Sequence, residues 1–161
     1  MDTILDYCDG LPKRRFSAGD VLLLEGETSG RLFIVTAGSF EILKGAYQIA
    51  TVSEPGAIFG EMSVLLGLPH MATVKALTDA EAYEVEGADG FLNARSEINH
   101  FLSKMLAQRL HGVTSYLVDL KAQFEDHSNH LGMVDEVLET LANQQYIEFE
   151  AGSDRDSDVK M

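Results

Sequence analysis

The chain has 161 residues and a formal charge of −14, with 45% apolar and 24% charged side chains. That length makes one domain with at most an appended element, and the composition is that of an ordinary globular protein. Its acidity works against binding to nucleic acid or anionic membranes.

The charge is uneven. Residues 1–124 hold 16 acidic and 10 basic side chains, whereas residues 125–161 hold 10 acidic and only 2 basic. A single cysteine, Cys8, excludes an intramolecular disulfide, a four-thiolate zinc site and a Cys-ligated iron–sulfur cluster. The N-terminal MDTILDYCDGLP has no basic n-region, and apolar runs stop at four or five residues. A cytoplasmic protein is the expectation.

In chain order, Lys13-Arg14-Arg15 beside Phe16 reads as a solvated strand edge rather than a nucleic-acid patch. Strands are predicted at Val21–Leu24, Leu32–Val35, Phe40–Leu43 and Ile49–Val52, each ended by a turn signal. Glycines recur at 19, 26, 30, 38, 45, 56 and 60. Short apolar segments with regular turns predict a compact antiparallel barrel or sandwich. A short helix is predicted after Gly60, from Met62 to Leu66. Ala72–Leu77 and Glu81–Val85 add two strands.

After Gly87 the pattern becomes helical. Ala88–Arg95 reads as a short helix, and a longer one runs over about 97–125. Leu106, Leu110, Val113, Leu117, Leu120 and Phe124 form a heptad seam along it, which predicts a homodimer through this helix. His127-Ser128-Asn129-His130 reads as a break. A last helix is expected from Met133 to about Gln144, with Val134, Val137, Leu138 and Leu141 on one face. Residues 127–150 thus form a helical appendage, and the polar tail 151–161 is expected to be disordered.

The stretch IFGEMSVLLGLPHMATVKA, residues 58–76, carries the chemistry. A glycine at a strand–helix junction lets an anion approach free backbone N–H groups. Glu61 repels a phosphate but can accept a hydrogen bond from a sugar hydroxyl. Donors for phosphate beside an acceptor for hydroxyl suggest a nucleotide with a ribose.

The stretch resembles the phosphate-binding cassette of the cyclic nucleotide-binding domain family. Phe16, Gly19-Asp20, Glu25-Gly26-Glu27, Leu32–Val35, Gly38 and Pro55-Gly56 extend the match upstream. The resemblance implies an α+β fold: a jelly-roll-like antiparallel β-roll, then a long C helix and a short C-terminal helix, with residues 1–126 as the nucleotide-binding-like domain. It implies a non-enzymatic regulatory module for cAMP or cGMP, with Phe59, Gly60, Glu61, Met62 and Thr73 in the cassette. Gly60 and Met62 would offer N–H groups to the phosphate and Glu61 would hold the ribose hydroxyl. Thr114 and Ser115 of the C helix would face the base. No other cofactor is implied.

One position departs from the family. Where its members carry the phosphate-pairing Arg, this chain has His70, followed by the bulky Met71. A neutral imidazole in place of a bidentate guanidinium costs about 1.5–3 kcal/mol of binding. If an imidazolium pairs with the phosphate, affinity rises from about pH 8 to pH 6. His70 also reads as a surface loop residue after Pro69.

No His-x-His pair supports a cupin-type metal site. His127 and His130 sit at the break, and haem ligation by His70 or Cys8 has less support still. Only 37 residues, 10 of them acidic and 2 basic, follow Phe124, where DNA-binding relatives append a helix-turn-helix domain, so no DNA contact is expected. The expected output is instead an unidentified protein partner. The alternative is a degenerate module that binds no nucleotide and acts as a dimeric interaction scaffold.

Overall fold

A computed structural model describes residues 3–124 and 128–143, without the side chains of 128–131 and 143. A 3₁₀ turn at Ile4–Tyr7 precedes β1 (Lys13–Phe16), β2 (Val21–Leu23), β3 (Leu32–Ala37), β4 (Phe40–Lys44), β5 (Tyr47–Val52) and β6 (Ile58–Phe59). Then come α1 (Glu61–Leu66), β7 (Thr73–Ala76), β8 (Ala80–Val85), α2 (Ala88–Ala94), α3 (Ser96–Gln123) and α4 (Ser128–Asn143). The chain divides into two compact units, Met1–Lys104 and Met105–Met161, with the boundary inside α3.

In the first unit the strands form two four-stranded antiparallel sheets, ordered β1-β8-β3-β6 and β2-β7-β4-β5. Alternation along each strand turns one set of side chains toward the opposite sheet. Phe16, Phe33 and Phe59 from one sheet thus meet Leu23, Phe40 and Val74 from the other in a single apolar cluster. Phe40 packs edge-on against Phe59 at 5.4 Å and Phe16 at 6.4 Å, which ties the sheets face to face. The fold is therefore a β-roll followed by helices.

β3 is buried on both faces. Leu32 and Ile34 point away from the sheet–sheet core, yet are as inaccessible as Phe33 and Val35. Ile98 and Leu102 on the first turns of α3 are buried in the same unit. Gly38 makes the β3–β4 turn at φ 93°, and a Cβ there would lie 2.5 Å from that of Ala80.

The strand expectations agree with the structure to within two residues, and Lys13–Arg15 does lie on an edge strand. The two-residue β6 ends at the strand–helix junction expected at Gly60, although so short a strand has no period of its own to give its bounds. The reading of residues 127–130 as a break is corrected at Ser128, where α4 already begins, five residues before the predicted start. His127 and residues 144–161 lie outside the described residues.

In the second unit α3 presents the predicted seam. Leu110, Val113 and Phe124 are about half exposed or more, while Leu106, Leu117 and Leu120 are half-buried. Val134, Val137, Leu138 and Leu141 of α4 are half-buried, and Lys121 pairs with Asp135 at 2.5 Å. Among the described residues no helix is long and apolar enough to cross a membrane.

Candidate ligand-binding site

α1 begins where β6 ends, and Gly60 makes the junction at φ 93°, ψ −2°. A Cβ at Gly60 would lie 2.5 Å from the Arg31 carbonyl oxygen. The glycine is thus demanded by the backbone packed against it, independently of any ligand. The first bond of the helix runs from Val64 N–H to Gly60 C=O, so the Met62 and Ser63 N–H groups lie ahead of it.

Of the sequence-predicted residues, Phe59 is a core side chain and Glu61 is buried at the first helical position. Met62 and Met71 are two-fifths exposed. The Thr73 hydroxyl accepts the Glu25 backbone N–H at 3.0 Å, which joins β7 to the end of β2. Glu25 in turn accepts the Gly45 N–H at 2.8 Å and pairs with Lys44 at 3.3 Å. These contacts, the Gly45 bond foremost, hold its carboxyl below the usual range against a smaller opposing effect of desolvation. Lys44 also donates to the Met71 carbonyl at 2.6 Å. Glu25, quoted only as part of a motif, is therefore the knot between β2, the β4–β5 turn and the end of the cassette. Thr114 is half-buried and Ser115 exposed on α3, within the second unit.

His70 is only 4% exposed, which corrects its reading as a surface loop residue. Its backbone N–H donates to Glu27 C=O at 2.8 Å, and its carbonyl accepts from Gly26 N–H at 2.9 Å. The ring is flanked by two hydroxyls, Ser63 Oγ at 2.8 Å from Nδ1 and Ser29 Oγ at 2.7 Å from Nε2. Burial lowers the imidazole pKa below the ordinary histidine value, and the carboxylate of Glu27 offsets this in part. The ring is accordingly neutral at pH 7. Sequence reasoning missed both serines. Ser63 carried a faint signal as a polar residue in an apolar helical run, but Ser29, 41 positions from His70, carried none.

The family model for the cyclic nucleotide-binding domain matches residues 13–94. An ABC transporter ATP-binding protein of Mycobacterium tuberculosis is 38% identical over 69 residues, 40% of this chain and 21% of that protein. The CRP-like cAMP-activated global transcriptional regulator of the same organism is 28% identical over 111 residues, 65% of this chain and 50% of that protein. The Thermus thermophilus catabolite activator protein superposes with a TM-score of 0.62 at 23% identity, covering 73% of this chain and 59% of that one. This chain therefore spans between a fifth and about three-fifths of these three proteins.

Proposed function

Because the chain belongs to the cyclic nucleotide-binding domain family, we propose that it is a non-enzymatic, cytoplasmic regulatory module that binds cAMP or cGMP. Binding in the cassette shifts the population of α3 positions and so alters a surface read by a protein partner. The observation that carries this reading is Glu61, a carboxylate buried one residue after a left-handed glycine at the strand–helix junction. A carboxylate accepts about four hydrogen bonds, enough to serve both the protein and a ribose hydroxyl. The Gly60 and Met62 N–H groups serve the cyclic phosphate.

His70 contributes little direct attraction for the phosphate, because the ring is neutral and both nitrogens face serine hydroxyls. Affinity is therefore modest, and flat in pH from about 7 to 8, above the ordinary histidine value. Titration calorimetry with cAMP and cGMP tests the reading. Measurable binding is expected, weakened ten- to a hundredfold in Glu61→Gln by loss of a charge-assisted bond of about 1.5–3 kcal/mol. No heat with either nucleotide would sink it. That result would favour the second reading, a scaffold that binds no nucleotide, which the engagement of His70 by serines also supports. In either case the module dimerises through the α3 seam, where Leu110 and Val113 are 47% and 53% exposed.

A further inference from the structure

The polar groups around His70 form an unbroken chain whose direction is set at its Ser63 end. At one end the Arg31 backbone N–H donates to Ser29 Oγ at 3.2 Å. At the other, Ser63 Oγ donates to the Gly60 carbonyl at 3.2 Å. A serine hydroxyl has one proton. Ser63 spends its proton on Gly60, so toward His70 Nδ1 it can only accept, and Nδ1 must carry a proton. Ser29 already accepts from Arg31, and its own proton completes the chain by pointing at an unprotonated Nε2. The Ser63 end thus calls for the neutral tautomer with the proton on Nδ1, and the Ser29 hydroxyl, which can still donate, completes it at Nε2.

We propose that Ser29 is a positioning residue for the cassette, acting through the Nδ1-protonated ring of His70 and Ser63 on the carbonyl of Gly60. This rests on the reading of Gly60–Met62 as a ligand cassette. The Gly60 carbonyl is the acceptor that opens α1, since it also takes the Val64 N–H. It lies in the Gly60–Glu61 peptide plane, between the two planes whose N–H groups face the ligand. Ser29 lies in the loop after β2, whose Gly26 and Glu27 also bond the His70 backbone, so side chain and main chain hold the same two segments together. In this arrangement the departure from Arg is no mere loss. The position has exchanged a side chain that grips the ligand for one that grips the cassette.

The charged groups near the ring are few. Glu27 on the loop raises the imidazole's proton affinity, Arg31 on the same loop pairs with Glu86 at 3.4 Å, and Glu61 on α1 is buried.

Imidazole ¹H–¹⁵N correlation spectra of the full chain read the tautomer directly, without any ligand. His70 is expected as the neutral form protonated on Nδ1 at pH 7. In Ser29→Ala the tautomer mixture shifts and the amide resonances of Gly60–Ser63 move. Affinity for cAMP or cGMP falls about three- to tenfold, the worth of one neutral hydrogen bond, and Ser29→Thr restores all three. A ring protonated on Nε2, or Gly60–Ser63 amides unmoved by Ser29→Ala, would overturn the proposal. If wild-type protein binds neither nucleotide, the functional reading fails, but the tautomer and amide shifts still decide the role of Ser29.

Discussion

Gly60 and Gly67 bracket α1, both with positive φ, yet substitution should treat them differently. At Gly67 nothing lies within 4 Å of a Cβ, so Ala costs only the left-handed backbone, about 1 kcal/mol. At Gly60 the same change also drives a methyl into the Arg31 carbonyl, 2.5 Å away. Gly60→Ala is therefore expected to cost about 2–3 kcal/mol in urea denaturation, clearly more than Gly67→Ala. Equal midpoints for the two variants would show that the Arg31 loop yields freely. The residue type at position 60 was legible in the sequence, but half of its reason was not. A close approach by a carbonyl from the loop before β3 leaves no trace in local spacing. Glu25 repeats the lesson: its motif was recognisable, but its bonds reach Gly45 and the Thr73 segment, 20 and 48 residues away.

At the scale of the element, α3 shows how far a periodic pattern can be trusted. The seam from Leu106 to Phe124 was read from spacing alone, and the helix runs through all but its last residue. What spacing cannot supply is the occupant of the seam. Leu110 and Val113 remain about half exposed. In the proposed dimer, burying the half of each side chain that is still exposed contributes about half of the ~1.5–3 kcal/mol that full burial is worth. The double substitution Leu110→Glu and Val113→Glu is therefore expected to raise the dimer dissociation constant by at least about a hundredfold in sedimentation velocity. A wild-type protein that sediments as a monomer at low micromolar concentration would remove this interface. Lys121–Asp135 contributes little by comparison, because both side chains are about half exposed.

For the whole molecule, His70 links folding to pH. Its pKa is lowered in the folded state, so the unfolded chain takes up the proton first as pH falls below about 6.5. Stability from this group is complete above that value and declines below it, until the folded-state pKa is also passed. Urea midpoints of wild type are thus expected to fall more steeply between about pH 6.5 and 5 than those of His70→Gln. Parallel slopes would mean that the ring is hydrated. The strands, the helices apart from the start of α4, the Gly60-Glu61 junction and the family are legible in the sequence. Each of these is written in local periodicity, turn chemistry or a contiguous motif, because backbone preferences and amphipathic burial act over a few residues. That His70 is an internal clasp rather than a surface residue emerges only from the packed fold. A loop side chain takes its direction and protonation from whatever the fold brings beside it, and here that is a hydroxyl 41 residues upstream.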